Sequence, residues 1–413
     1  MSDVVVVGGG ATGVGVARDL ALRGVDVTLV ERAGIAAGTS GRMHRLLHSG
    51  ARYAASDPTS ARECRRESRV LRSIAPHCVT ETGGMFVSLP EDPAHVERLR
   101  EACTDAEIPT ETLSGDEARA VEPHLSPTVE RAVRVPDAVV HPVRLCLATT
   151  LDAERAGARI RTGVEVADLH LRGDHVDAVE LSTGDRLTAD HVVNAAGPWA
   201  GQLASAAGID LRMTPSRGVM VVLDGPAVGQ VLNRCRPRSE GDIVVPVDDR
   251  PVLGTTDRPV DDPDDYPRDD EEVAAVRRSL SAVVPELRAA SVVETYWGVR
   301  PLYDAAEDAT AASRGFAVRT NRGVTSVVGG KLTTHRLMAT VAADEVCERL
   351  GVDRDATTAE RPLPDERGTL RAAARRWAGP SPVPGAPGDW RNGVNRRERS
   401  LPRRRNDDAT EGD

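Results

Sequence analysis

The sequence predicts an α/β protein: a doubly wound, Rossmann-like dinucleotide-binding domain interrupted by a substrate domain built on a mainly antiparallel β-sheet. Three observations carry that expectation. The chain opens with a strand, a glycine loop, a helix and a second strand that ends on an acid. A middle segment, residues 189–199, has strand character and runs into the small-residue turn Ala195-Ala196-Gly197. A late strand, 324–328, passes through Gly329-Gly330-Lys331 into a long helical stretch.

The opening is the most specific of the three. Val4 to Val7 is a β-branched run suited to a strand buried on both faces. It enters Gly8-Gly9-Gly10-Ala11-Thr12-Gly13, which sets glycines at the three positions of G-x-G-x-x-G. The first allows the tight turn, the second lets backbone N–H groups approach a diphosphate, and the third permits close helix–strand packing. The following helix offers its N-terminal partial positive charge to that diphosphate. Glu31, ending the second strand, is placed to accept hydrogen bonds from a ribose 2′-hydroxyl and to repel a 2′-phosphate. A dinucleotide site is therefore expected at the N-terminus, with NAD and FAD equally compatible.

The remaining elements follow in order. Residues 33–50 form a small, polar loop that leads to Ala51-Arg52-Tyr53, then a helix over 59–74. A strand is expected at 84–89, helices at 94–106 and 115–121, and a helix over 142–157. A hairpin series spans 164–182, and strands at 217–223, 242–246 and 252–254 belong to the second sheet. An acidic loop, 257–270, precedes a helix at 271–284 and a strand at 291–299. The hairpin 316–320/324–328 precedes a helix over 332–350. The dinucleotide-binding domain is thus expected to be discontinuous, over 1–80, 140–210 and 320–352. The substrate domain takes 81–139 and 211–319. Beyond a short helix at 369–378, the Arg- and Pro-rich segment 366–413 is expected to be a disordered tail.

Composition excludes several classes. The net charge of −10 disfavours a nucleic-acid partner. No apolar run reaches the roughly 18 residues a membrane span needs. The start lacks a basic signal-peptide region. Six cysteines are scattered without a C-x-x-C, which argues against a cysteine-ligated metal or cluster in this chain and fits a reducing cytoplasm. Of 53 basic residues all but Lys331 are arginine. That bias, with Asp-rich stretches such as Asp261-Asp-Pro-Asp-Asp265, suggests adaptation to high salt. A lysine kept among so many arginines points to a need for a compact ammonium.

Four stretches carry candidate chemistry: His48-Ser-Gly-Ala-Arg52-Tyr53, Leu253-Gly-Thr-Thr-Asp257, Trp297-Gly-Val-Arg300-Pro-Leu302 and Gly329-Gly-Lys331-Leu-Thr-Thr334. Arg52, Arg300 and Lys331 would suit a small phosphorylated or carboxylated substrate. From spacing alone, either arginine is equally explained by pairing with surface acids. His48 is the leading candidate base among His44, His48 and His335, because Arg52 and Tyr53 follow it closely. No Ser–His–Asp spacing and no metal motif is present.

At these stretches the chain resembles the FAD-dependent glycerol-3-phosphate dehydrogenases, most of all the catalytic A subunit of the anaerobic enzyme. The resemblance covers residues 3–365. It is carried by Gly8–Gly13 with Glu31, Gly41-Arg-Met-His-Arg-Leu-Leu-His-Ser-Gly-Ala-Arg-Tyr53, Ser60-Ala-Arg-Glu-Cys64, Gly254-Thr-Thr-Asp257, Gly298-Val-Arg-Pro-Leu302 and Gly329-Gly-Lys-Leu-Thr-Thr334. It implies a glutathione-reductase-like, amino-acid-oxidase-like fold and FAD rather than NAD. It also implies oxidation of sn-glycerol 3-phosphate to dihydroxyacetone phosphate, with hydride passing from C2 to flavin N5. Electrons would leave through B and C partner subunits to quinone, placing the protein in the cytoplasm or peripherally on the membrane's cytoplasmic face. Carried over, Gly8, Gly10, Ala11, Thr12, Gly13, Glu31, Arg32, Ala196 and Gly197 would hold the nucleotide. Thr39, Ser40, His44, Leu46 and Leu47 would line the flavin, with Gly329, Gly330, Leu332, Thr333 and Thr334 at its pyrimidine edge. Arg52, Tyr53, Arg300 and Lys331 would bind the phosphate ester and His48 would accept the hydroxyl proton. The chain departs from the family at Met43 and Arg45. Where the family's catalytic chain continues into a cysteine-bearing domain, this chain has its arginine-rich segment. The alternatives are a related flavin oxidase or dehydrogenase of an amino acid or 2-hydroxy acid, and a truncated, non-catalytic flavoprotein.

Overall fold

The computed structural model describes residues 3–92, 94–237, 240–303 and 315–377. Its first sheet has six strands: β1 (Asp3–Val7), β2 (Asp26–Glu31), β3 (Arg159–Thr162), β4 (His191–Asn194), β5 (Phe316–Asn321) and β6 (Val324–Gly329). Their order is β5-β6-β4-β1-β2-β3. All neighbours are parallel except the β5–β6 hairpin. Strands remote in sequence therefore flank β1, as a doubly wound sheet requires.

The two faces of β1 are buried against different layers, which explains its uninterrupted valines. Val4 and Val6 join a core with α1 (Ala11–Leu22), α2 (Pro58–Ile74), α3 (Pro142–Arg155) and α4 (His335–Leu350). Val5 and Val7 face a three-stranded sheet of Val166–Arg172, His175–Leu181 and Arg186–Thr188. Small residues let α1 sit close to its neighbours: a Cβ on Gly15 would lie 2.9 Å from Ala339 Cβ on α4. Pro58 at the first turn and Asp57, which accepts from Ser60 N–H at 3.0 Å, start α2. Beneath α1, buried ion pairs join Arg18 to Asp152 at 2.8 Å and Arg336 to Glu67 at 2.7 Å.

The second sheet has nine strands. Its order runs Arg258–Pro259, Ser216–Asp224, Arg250–Gly254, Ile243–Val247, Val231–Arg234, Gly84–Ser88, Arg131–Val135 and Glu111–Ser114, with Ser291–Arg300 also paired to Ser216–Asp224. The one parallel pair among these is Val231–Arg234 with Gly84–Ser88. Helix Asp270–Ser281 covers one face through Val273, Val276 and Leu280. A small sheet of Leu46–Leu47, Ala138–Val140 and Val79–Thr80 adjoins it.

The short helix expected at 369–378 is present as α5, Arg367–Trp377, which packs on α3. Its apolar stripe, Leu370, Ala373, Ala374 and Trp377, falls at i, i+3, i+4 and i+7. The Trp377 carbonyl accepts from Ile35 N–H at 2.9 Å, and Ala36 N–H donates to the Gly9 carbonyl at 2.9 Å. Residues 378–413 of the expected tail lie outside the described residues. The helix expected over 332–350 opens with a 3₁₀ turn, Leu332–Thr334, before α4. Short strands at Glu111–Ser114, Arg131–Val135, Ala138–Val140, Arg159–Thr162 and Val231–Arg234 add to those the sequence pattern predicts. All six cysteines are buried thiols. Among the described residues no helix is long and apolar enough to cross a membrane, and no cluster of His, Cys, Asp or Glu could hold a metal.

Candidate active site

A cavity of about 1000 Å³ runs between the glycine-loop end of the first sheet and the second sheet. At one end, Gly8 has φ 112° and a Cβ there would collide with the Ala195 carbonyl oxygen. A Cβ on Gly13 would collide with the Gly8 carbonyl oxygen. Both positions exclude side chains for packing reasons, whereas Gly10 lines the open cavity. The first turn of α1 carries no acid and its N-cap, Gly10, supplies no side-chain cap. That leaves a helix end suited to an anion. Ser40 Oγ accepts from Ala11 N–H at 2.9 Å. Glu31 braces the loop, its two oxygens accepting from Gly9 N–H at 2.6 Å and Ala33 N–H at 2.8 Å.

This end is covered by the expected Arg32 together with Trp199, Asp264, Tyr266 and Arg268, which sequence reasoning missed. The Arg32 guanidinium lies 4.2 Å from the Trp199 ring centroid. Asp264, from the acidic loop of the second sheet, accepts from both Arg32 and Trp199 Nε1 at 2.8 Å. Tyr266 and Arg268 of the same loop also line the cavity. The signal in the sequence was a small-residue turn running into Trp199, but nothing local tied it to Asp264, 65 residues on.

The other end gathers the candidate chemistry. Gly329 and Gly330 have φ of 79° and 72°, and a Cβ on Gly330 would collide with Met338 Sδ, so this turn requires glycine. It delivers Lys331, whose Nζ donates to Ser60 Oγ at 3.0 Å and lies 4.4 Å from the Tyr53 ring centroid. The Tyr53 hydroxyl is 3.5 Å from His48 Nε2, and the two rings meet edge-on at 5.2 Å. His48 N–H donates to Thr333 Oγ1 at 3.2 Å, tying the two candidate segments together. The His44 ring stands 5.7 Å from that of His48. Burial, with the charges of Arg52 and Arg300, pushes His44 down to about 3, so it is neutral and its Nδ1 accepts from Leu46 N–H. Arg300 donates to the Thr256 carbonyl at 2.8 Å and to Thr255 Oγ1 at 3.1 Å.

Of the expected site residues, most line this one cavity: Gly8, Gly10, Ala11, Thr12, Glu31, Arg32, Thr39, Ser40, His44, Leu46, His48, Tyr53, Ala196, Gly197, Arg300, Gly329, Gly330, Lys331, Leu332 and Thr333. Gly13, Leu47, Arg52 and Thr334 do not. Gly13 packs against Gly8, Leu47 is in the core, and Thr334 Oγ1 accepts from Lys331 N–H. Arg52 lies behind the wall, its guanidinium donating to Asn233 Oδ1 at 3.3 Å and standing 3.7 Å from Asp242.

The glycine cradle, the uncapped helix end and the long cavity between two sheets fit an extended dinucleotide with a second aromatic system at its far end. Comparison with known proteins bears on which one. A family profile described as FAD dependent oxidoreductase matches residues 3–336. The chain is 48% identical over 386 residues to the A1 chain of the anaerobic glycerol-3-phosphate dehydrogenase of Haloferax volcanii, covering 87% of this chain and 66% of that protein. It is 41% identical to the corresponding chain of the Escherichia coli anaerobic glycerol-3-phosphate dehydrogenase, covering 93% of this chain and 74% of that protein. The chain thus spans about two thirds to three quarters of these relatives. The crystal structure of a glycerol-3-phosphate dehydrogenase from Bacillus halodurans complexed with FAD superposes with a TM-score of 0.71 at 25% identity, over 88% of this chain and 68% of that one. The chain belongs to the FAD-dependent oxidoreductase family, and its cofactor is FAD.

Proposed function

We propose that this protein oxidises sn-glycerol 3-phosphate to dihydroxyacetone phosphate and passes the electrons through B and C partner subunits to a quinone at the cytoplasmic face of the membrane. The observation that carries this reading is the meeting of Lys331, Tyr53, His48 and Arg300 at one end of a dinucleotide cavity. The names of the archaeal and bacterial relatives support the substrate and the role as one part of a larger dehydrogenase.

Bound FAD supplies a two-electron oxidant that takes hydride from the C2 carbon. The chain's own residues do the rest. Arg300 and Lys331 bind the phosphate and fix C2 relative to the cofactor, with Arg52 adding positive charge from behind. His48 accepts the C2 hydroxyl proton as the C–H bond breaks, and the Tyr53 hydroxyl sets the orientation of its ring. Neutral His44 adds no positive charge beside it.

Anaerobic addition of glycerol 3-phosphate to the FAD-loaded protein in high salt tests the reading. Loss of the oxidised-flavin absorbance band is the expected result. Retention of the band with glycerol 3-phosphate, or its loss with an amino acid or 2-hydroxy acid instead, overturns it.

A further inference from the structure

We infer that Asn233, backed by the buried Asp137, is a positioning residue that holds the Arg52 guanidinium in place behind the substrate end of the cavity, where its charge favours an anionic group. The inference rests on the function proposed above. Asn233 sits in the strand Val231–Arg234, fully buried, after Val231 and Leu232, which belong to the apolar cores. An amide in such a place costs free energy unless both of its ends are bonded. Here both are: Oδ1 accepts from the Arg52 guanidinium at 3.3 Å, and Nδ2 donates to Asp137 Oδ2 at 3.4 Å.

Asp137 has its own anchor. Its Oδ1 accepts from Ser49 N–H at 2.8 Å, and the space it fills depends on Gly84, where a Cβ would lie 2.8 Å from Asp137 Cβ. Asp137 thereby grips the backbone beside His48, and through Asn233 it grips the side chain of Arg52 three residues further on. The 48–53 segment is held at both points by one buried pair, Asn233 on the second sheet and Asp137 in the link that follows Arg131–Val135.

The residue type is informative. A carboxylate at 233 would stand against Asp137 and, together with Asp242, would bind the Arg52 charge to the protein. A neutral amide instead accepts from the guanidinium and adds no second countercharge to the one Asp242 already sets 3.7 Å from it. Asp242 completes the frame, its Oδ1 accepting from Arg236 Nε at 2.8 Å while Oδ2 faces Arg52.

The test uses the FAD-loaded protein and the variants Asn233→Ala and Asn233→Asp. Losing one hydrogen bond to a charged group predicts that Asn233→Ala raises KM for glycerol 3-phosphate about tenfold, with kcat within about threefold. Asn233→Asp keeps the side chain's size but sets a second carboxylate against the Arg52 charge, and raises KM at least as much. Inorganic phosphate, followed by its perturbation of the flavin spectrum, binds both variants about tenfold more weakly than the wild type. This binding needs no turnover. If glycerol 3-phosphate fails to reduce the wild-type flavin, the proposed function fails, while phosphate binding still reads the Asn233 effect. Wild-type KM and phosphate affinity in a variant with full FAD content overturn the inference, as does a fall in kcat at unchanged KM. If Asn233→Ala loses FAD, Asn233→Asp decides.

Discussion

The Lys331 ammonium stands over the face of the Tyr53 ring, 4.4 Å from its centroid, while donating to Ser60. A ring face and a hydroxyl position an ammonium without themselves carrying a countercharge. The planar fork of a guanidinium, which needs more room and more acceptors, does not fit that seat. This accounts for the one lysine among 53 basic residues. Lys331→Ala is expected to lower kcat/KM for glycerol 3-phosphate by roughly tenfold to a hundredfold. Lys331→Arg is expected to recover little of that loss. Steady-state kinetics at matched FAD content checks both.

Gly218 is a packing requirement of the substrate end. A Cβ there would collide with Thr255 Oγ1 and lie 2.6 Å from an Arg300 guanidinium nitrogen. Gly218→Ala is expected to displace Arg300 and raise KM at least tenfold while FAD stays bound, since residue 218 is remote from the glycine loop. Flavin absorbance per protein and KM, measured on the same preparation, separate the two effects.

Glu31 accepts from the backbone N–H of Gly9 in the glycine loop and of Ala33 just after β2. Removing it leaves both donors in need of water and loosens the turn. Glu31→Ala is expected to weaken FAD binding by about 1.5–3 kcal/mol, or roughly tenfold to a hundredfold in Kd. Titration of apoprotein with FAD, followed by flavin fluorescence, measures it.

Acid should unfold this protein through its buried histidines. Burial pushes His191 and His335 down to about 4, so both are neutral in the folded state. Unfolded, each binds a proton below its ordinary value near 6.5. The unfolded state therefore carries more protons between about pH 6.5 and 4, and stability falls as pH falls through that window. Each group contributes a slope of about 1.4 kcal/mol per pH unit. Urea midpoints at fixed salt should drop across it, and His191→Gln should remove about one proton from the slope. An unchanged slope in His191→Gln would show that the ring is already charged in the fold.

The sequence disclosed what local pattern determines. β1, the glycine loop, α1 and Glu31 are readable because strand period, turn sterics and helix start all fall within 31 residues. Lys331 was readable from its rarity. What escaped notice depends on distant partners. Trp199 becomes a cover because Asp264 arrives from another sheet. Asn233 looks like an ordinary polar residue until Arg52 and Asp137 meet it from 181 and 96 positions away. Arg131–Val135 is a short strand whose arginines obscure its alternation. Arg52 shows the opposite limit: its motif was plain, but only the fold places it behind the cavity wall.

The hydrogen bond from Ile35 to the Trp377 carbonyl bears on how the protein is made. The loop that receives FAD is synthesised first, yet its supporting strands β4 and β6 and its last buttress, α5, emerge from the ribosome much later. A nascent chain that stops short of Trp377 carries the whole nucleotide motif but leaves the Ile35 N–H and the apolar face of α3 uncovered. A nucleotide site with all of these supports therefore exists only once residues through Trp377 have emerged.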